Sequence, residues 1–171
     1  MSYFDSLQPP LSPNVTEIQH YRDLIDELTL TTMNSPINPT TTKTTTTITK
    51  NPRILLLGFT KELQPLCTEF IDINPNHPYI KDSRSITGNW FFNISEKYDV
   101  IIGDGVLNLV SGSLVKHLSK YCKRLIIRFF VEKIDNMRYA TWFRNNTEFL
   151  LPDKIITTQP KCKMLIWDFH Q

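Results

Sequence analysis

The architecture of this chain follows from two apolar segments, Arg53-Ile54-Leu55-Leu56-Leu57-Gly58 and Tyr98-Asp99-Val100-Ile101-Ile102-Gly103-Asp104-Gly105. Each is a continuous run of mostly branched apolar residues that stops abruptly, at Gly in the first and at Gly-Asp-Gly in the second. Such runs are typical of strands buried on both faces, as in a parallel sheet covered by helices. In open sheets of this kind the ligand lies beyond the carboxyl ends of the strands. We therefore expect a nucleotide-type binding fold with Gly58 and residues 103–105 on the rim of its pocket.

The composition is that of an ordinary globular protein. The chain has 171 residues and a mass of 20.0 kDa, of which 40% are hydrophobic and 21% are charged. Its net charge of +2 is too small to indicate a nucleic-acid partner on its own, and we expect a small molecule rather than nucleic acid as its partner. No apolar segment is long enough to cross a bilayer, and no basic-then-apolar leader begins the sequence, so no membrane association is expected.

The three cysteines, Cys67, Cys122 and Cys162, are odd in number and widely spaced, and they form no Cys-x-x-Cys pair. This pattern predicts reduced thiols and a cytoplasmic location rather than a disulfide framework or a zinc site.

The chain divides into three regions. Residues 1–34 contain one predicted helix, which Asn14 or Thr16 would cap and which runs to about Thr31. Four apolar residues share one face of that helix: Ile18, Tyr21, Ile25 and Leu28. Residues 35–50 include eight Thr between positions 40 and 49 and almost nothing apolar, which predicts a disordered linker. Residues 51–171 form the main domain.

Within the main domain the sequence predicts strands that alternate with short helices, a pattern typical of a parallel sheet with right-handed crossovers. The predicted strands cover 53–58, 69–73, 84–87, 98–103, 124–130, 154–158 and 163–169. The predicted helices cover 61–67, 111–121 and 135–145. Only a short link around Pro160 separates the last two strands, so they should form an antiparallel hairpin.

The first strand turns into a helix at Gly58-Phe59-Thr60. A glycine there lets the backbone approach a ligand closely, and amides that open a helix can meet an anion. The glycine fingerprints of dinucleotide sites and P-loops are absent, and the whole chain has only five Gly, so a glycine-built phosphate cradle is not expected. Taken alone, a glycine at the end of a strand is more often part of an ordinary turn than of a binding site.

Three further strand ends carry polar or aromatic residues. Asp72 ends the second strand, where a carboxylate can accept from two hydroxyls of a sugar, although it could equally cap a turn. Asn89 and Trp90 follow the third strand and suit a purine, although an aromatic there more often closes a core. Asp104, between Gly103 and Gly105, could hold an amine, act as a base or start a turn.

At these residues the chain resembles class I S-adenosylmethionine-dependent methyltransferases, in particular a subgroup with a Gly-Asp-Gly motif after the fourth strand. The resemblance rests on residues 53–63, Phe70-Ile71-Asp72, Gly88-Asn89-Trp90, residues 98–108 and Arg128. It implies a three-layer Rossmann-like α/β fold with about seven strands, the last of them antiparallel. Two positions depart from the subgroup pattern, since Asn89 replaces an Asp and Lys61 replaces a Pro.

The resemblance also implies S-adenosylmethionine as the cofactor. The turn at Gly58 would face its methionine part, Asp72 the ribose, Asn89 and Trp90 the adenine, and Asp104 the sulfonium and the substrate mouth. The implied cofactor-binding residues are Gly58, Phe59, Thr60, Asp72, Ile73, Asn89, Trp90, Gly103, Asp104 and Gly105. Asp104 is also the candidate catalytic base.

The function that the resemblance implies is methyl transfer to an acceptor that the sequence does not identify. Two alternatives stay open: a catalytically inactive cofactor-binding or interaction module, and an aminopropyl transferase-like enzyme. The glycine-poor first loop and Asn89 favour the inactive module. Residues 51–171 hold sixteen Lys and Arg but only twelve Asp and Glu, and this excess of basic residues argues against a polyamine substrate. The missing glycine fingerprint argues against a dehydrogenase.

Overall fold

The computed structural model describes residues 12–33, 51–74, 82–110, 112–130, 150–160 and 162–169. In these ranges the helices are α1 (Val15–Met33), a 3₁₀ helix (Lys61–Leu66), α2 (Val106–Leu109) and α3 (Ser113–Leu118). The strands are β1 (Ile54–Leu57), β2 (Glu69–Asp72), β3 (Ser85–Thr87), β4 (Tyr98–Asp104), β5 (Cys122–Phe130), β6 (Lys154–Gln159) and β7 (Cys162–Asp168).

The seven strands form one sheet in the order β3-β2-β1-β4-β5-β7-β6. Strands β1 to β5 run parallel to one another, whereas β7 runs antiparallel to both β5 and β6. The predicted mostly parallel sheet with a C-terminal antiparallel hairpin is therefore confirmed. The strand order reverses between β1 and β4, the point at which open α/β sheets place their ligands.

Both faces of the central strands are covered, as the apolar runs predicted. On β1, Leu55 and Leu57 pack in the core that α3 covers, and Ile54 and Leu56 pack in the core that α1 and the 3₁₀ helix cover. Successive side chains of a strand point to opposite faces, so a run without polar positions has no solvent face. The fold is thus a three-layer α/β fold with the sheet in the middle.

Helix α1 lies on the sheet with its predicted apolar face inward. Asn14 caps it: its Oδ1 accepts a hydrogen bond from the Glu17 amide at 2.9 Å, and the Glu17 carboxylate accepts one from the Asn14 amide at 3.0 Å. This reciprocal pair satisfies amides at the helix start. Tyr21 and Ile25 are buried against the sheet, so the helix packs on the main domain.

Two predicted helices differ from the structure. The segment predicted as a helix at 61–67 is a 3₁₀ helix, and it contains Pro65, which has no amide hydrogen to donate. The predicted helix at 111–121 is shorter in the structure, where α3 covers Ser113–Leu118, and the extended Val110 separates it from α2. The predicted helix at 135–145 and the predicted linker at 35–50 lie outside the described residues.

Among the described helices, none combines the length and apolarity needed to span a membrane.

We predict that Leu56→Ala lowers the free energy of unfolding by about 2–5 kcal/mol, because it leaves a cavity in the middle of the sheet. Leu56 is 0% exposed. The matched control is Leu151→Ala, since Leu151 is 69% exposed and its loss should cost less than about 0.5 kcal/mol. Urea unfolding followed by circular dichroism measures both values, and similar losses in the two variants would contradict this description of the core.

Candidate functional site

The carboxyl ends of four adjacent parallel strands form one edge of the sheet. Gly58 follows β1, Asp72 ends β2, Asn89 lies two residues beyond β3, and Asp104 ends β4. The ends of the two central strands lie side by side, because Leu57 of β1 pairs with Gly103 of β4. The sequence prediction that these residues share one edge agrees with the topology. We call this edge, from Gly58 to Gly105, the carboxyl edge.

Gly58 and Asp72 face each other across the first turn. Gly58 has a φ of +89°, which favours glycine, and a β-carbon built on it would lie 3.8 Å from Asp72 Oδ2. The Gly58 amide donates to the Ile71 carbonyl at 2.8 Å, so the turn closes directly over the end of β2. Asp72 Oδ1 accepts from the Asn74 amide at 2.8 Å. The backbone at Gly58 and the carboxylate of Asp72 therefore lie next to each other.

The two residues after Gly58 differ in burial: the ring of Phe59 lies in the core, whereas Thr60 is half-buried. Phe59 is 8% exposed and packs edge-to-face on Phe70, with ring centroids 5.3 Å apart. Its carbonyl accepts from Gln64 Nε2 at 3.1 Å. Thr60 precedes the 3₁₀ helix, and its side chain makes no capping hydrogen bond. The predicted role of Phe59 is thus limited to its backbone, because the ring is part of the core.

The loop after β3 is held mainly by its own polar groups. Asn89 Oδ1 accepts from the Phe91 amide at 2.8 Å, and the Asn89 amide donates to Asn93 Oδ1 at 2.7 Å. Trp90 Nε1 donates to the Ile71 carbonyl at 3.0 Å, the same carbonyl that the Gly58 amide contacts. Asn89 therefore organises a turn, and Trp90 joins this loop to the turn at Gly58.

Ile73, the residue after Asp72, is 66% exposed, although it was among the predicted cofactor-binding residues. An exposed apolar side chain beside Asp72 can cover the flat face of a ligand bound there.

Two glycines shape the end of β4. A β-carbon at the buried Gly103 would lie 2.6 Å from Val106 Cγ2, so only glycine lets α2 begin this close to the strand. Gly105 has a φ of +65° and its amide donates to the Arg128 carbonyl at 2.9 Å. The Gly103 carbonyl accepts from the Tyr21 hydroxyl at 2.8 Å. The Gly-Asp-Gly segment is thus fixed from both β5 and α1.

Asp104 is bound by an arginine rather than held toward solvent. Arg128 Nε donates to Asp104 Oδ1 at 2.6 Å and Nη2 donates to Oδ2 at 3.1 Å, a bidentate pair. The third nitrogen, Nη1, donates to Glu17 Oε2 at 2.5 Å. The side chains of Arg128 and Glu17 are 0% exposed and that of Asp104 is 8% exposed. We call Glu17, Arg128 and Asp104 the buried triad.

The ionisation of these groups is set by burial and by their mutual charges. Burial raises the pKa of Asp104, and Arg128 opposes that rise while the Glu17 charge adds to it. Burial disfavours the charged form of Arg128, but the hydrogen bonds and charge of Asp104 outweigh it, so the pKa of Arg128 is raised. Burial also raises the pKa of Tyr21 well above its usual value. Two carboxylates therefore share one guanidinium, out of contact with bulk water.

This pairing bears on the predicted role of Asp104 as a general base, because both of its carboxylate oxygens accept hydrogen bonds from Arg128. A base needs a carboxylate oxygen within reach of the acceptor's proton. The role of Asp104 as a base therefore stays a prediction. Sequence reasoning missed Glu17 and Tyr21. The only sequence signal for Glu17 is the Asn-x-x-Glu spacing of a helix start, which does not reveal a partner 111 residues away.

Other groups offer little reactivity. Burial raises the pKa of Cys67 and of Cys122 to about 12, so these thiols stay protonated near neutral pH. Burial and the charge of Lys120 lower the pKa of His117, which packs between Phe91 and Tyr121. Among the described residues, no group of three or more His, Cys, Asp or Glu could hold a metal ion.

Several solved structures share this fold at low sequence identity. The PH0226 protein from Pyrococcus horikoshii OT3 aligns over 99% of this chain and 100% of its own, with a TM-score of 0.53 and 12% identity. The 16S rRNA methylase ArmA aligns over 92% of this chain and 85% of its own, with a TM-score of 0.50 and 13% identity.

WbdD, solved with the kinase inhibitor LY294002, aligns over 91% of this chain with a TM-score of 0.54 and 12% identity, and this chain spans 41% of that structure. No family model and no curated protein matches the sequence. The predicted Rossmann-like fold, of the kind found in class I methyltransferases, is confirmed.

We predict that Arg128→Met destabilises the protein by about 3–5 kcal/mol, because it leaves two buried carboxylates without their shared cation. The matched control is Arg53→Met. The Arg53 side chain is 38% exposed and its partners Glu69 and Glu96 are partly exposed, so that loss should be about 1 kcal/mol or less. Chemical unfolding at pH 7 compares the two. Equal losses would show that the buried triad does not hold the end of β4.

Proposed function

We propose that this protein binds S-adenosylmethionine at the carboxyl edge and transfers its methyl group to an acceptor nucleophile. One observation carries the proposal: the left-handed Gly58 opens the β1 turn beside Asp72, at the point where the strand order reverses. A backbone turn next to a carboxylate suits a ligand that joins a polar chain to a ribose. The small net charge favours a small-molecule acceptor over nucleic acid.

The residues of the carboxyl edge fit this ligand in part. Asp72 can accept hydrogen bonds from two ribose hydroxyls, and the backbone of the turn at Gly58 lies beside it. Ile73 and Trp90 offer apolar surface for a purine, with Trp90 held by its bond to Ile71. Asn89 instead completes its own turn, so its side chain is the weakest member of the predicted set.

The turn at Gly58 and Asp72 would hold the cofactor, which would supply an electrophilic methyl group on its sulfonium; the acceptor's lone pair would take the methyl group, the sulfur would keep the electrons of the broken bond, and the acceptor's proton would pass to water. The protein's part is to bind and to orient. Rigid strand ends serve that purpose, since alignment of the reacting atoms contributes much of the rate. Asp104, held by Arg128, supplies fixed charge near the mouth.

The test is calorimetric titration with S-adenosylhomocysteine. We expect saturable binding to the wild type, and Asp72→Asn should weaken it by roughly 10- to 100-fold, because hydrogen bonds to a charged group contribute about 1.5–3 kcal/mol. Asn can still accept the bond from the Asn74 amide, so the fold should persist. The control is Asp23→Asn on the exposed side of α1, which should leave affinity unchanged.

Absence of any binding to the wild type at millimolar ligand would overturn the proposal.

A second candidate is a module that binds the cofactor without transferring the methyl group. The observation that favours it is the ion-paired state of Asp104, the carboxylate that the sequence put forward as the base. Incubation with cofactor labelled on the methyl group and with cell extract separates the two functions. Labelled product supports the transferase, whereas cofactor binding without any labelled product supports the module.

A further inference from the structure

Among the residues that the structure describes, the buried triad holds more negative than positive formal charge. Its members are one guanidinium, Arg128, and two carboxylates, Glu17 and Asp104, all nine-tenths or more buried. Glu17 Oε1 accepts a hydrogen bond from Thr158 Oγ1 at 2.6 Å, and Glu17 Oε2 accepts one from the Asn14 amide at 3.0 Å. Both of these donors are neutral. Counted by formal charge, two carboxylates and one guanidinium give the triad a net charge of −1.

This charge lies next to the proposed ligand site. Asp104 directly follows Gly103, which pairs in register with Leu57, the residue before Gly58. Glu62, in the first turn of the 3₁₀ helix, is near enough for its charge to act on Asp104. Lys61, beside Glu62, is exposed to solvent, where its charge is screened. We therefore expect the net negative charge of the triad to act on a ligand held at the turn at Gly58.

We infer that Glu17 of α1 is a specificity-determining residue, which biases the carboxyl edge toward a cationic sulfonium ligand and against its neutral thioether product. The inference rests on the proposed function. Neutralising Glu17 leaves a triad of net charge zero, so the bias disappears while the hydrogen bonds can remain.

The physical basis is the charge difference between the two ligands. S-adenosylmethionine and S-adenosylhomocysteine differ by one methyl group and by the positive charge on sulfur. A nearby buried charge acts through a medium of lower dielectric than water, so one unit charge changes the affinity of the cation by on the order of tenfold and leaves that of the neutral ligand nearly constant. The bias would also favour release of the product after transfer.

The experiment measures the dissociation constants of both ligands by calorimetry, for the wild type and for Glu17→Gln. We expect the affinity ratio of sulfonium to thioether to fall about tenfold in Glu17→Gln, almost entirely through weaker sulfonium binding. Glu96→Gln removes the same charge at the opposite edge of the sheet, where Glu96 pairs with Arg53, and should leave the ratio unchanged.

Thr158→Val separates charge from packing. It removes a hydrogen bond to Glu17 but no charge, so it should lower stability and preserve the ratio. If Glu17→Gln does not fold, Asp104→Asn removes the other negative charge of the triad and should lower the ratio in the same direction.

The outcomes distinguish this inference from the proposed function. If neither ligand binds the wild type, the proposed function fails and the inference fails with it. If both bind but the ratio is unchanged on neutralising the triad, or if Glu96→Gln or Thr158→Val lowers it as much, the inference alone is wrong.

Discussion

The shared guanidinium of Arg128 is the contact on which the end of β4 depends. It binds Asp104 with two nitrogens and Glu17 with the third, and it stacks on Phe130 with its carbon 4.7 Å from the ring centre. A single buried cation thereby joins the strand end, the neighbouring strand and the N-terminal helix. Arrangements of this kind add little net stability over an apolar core, but they fix one geometry, because any displaced member is left buried and unpaired.

Helix α1 is consequently part of the site as well as part of the core. A second arginine of β5, Arg124, is four residues before Arg128 and therefore on the same face of the strand. It donates to the Leu24 carbonyl at 2.7 Å and pairs with Glu27 and Asp168. The helix is held at two points along β5, with apolar packing through Tyr21 between them. Its orientation on the sheet is thus specified by polar contacts as well as by its apolar face.

The sequence predicted the sheet well because apolar periodicity reports burial, and burial on both faces leaves few alternatives to a covered parallel sheet. It located Asp72 and the Gly-Asp-Gly segment at strand ends for the same reason. It could not predict what those side chains contact. Asp104 looked like a free carboxylate because its partner, Arg128, is separated by 24 residues and becomes adjacent only through strand register.

Phe59 is a second case in which the sequence did not predict what a side chain contacts. Its position in the first turn suggested a ligand contact, but the approach of Phe70 on the neighbouring strand gives the ring a better place in the core. Local pattern predicts where an element ends, whereas the direction of a side chain at that end depends on neighbours distant in the chain.

The link between Glu17 and Arg128 also constrains the order of assembly. Their ion pair cannot form until β5 has been made, because Arg128 lies in that strand. Contacts of such long sequence separation slow the search for the native state. During synthesis on the ribosome, more than a hundred further residues must be added after Glu17 before its carboxylate can meet this cation.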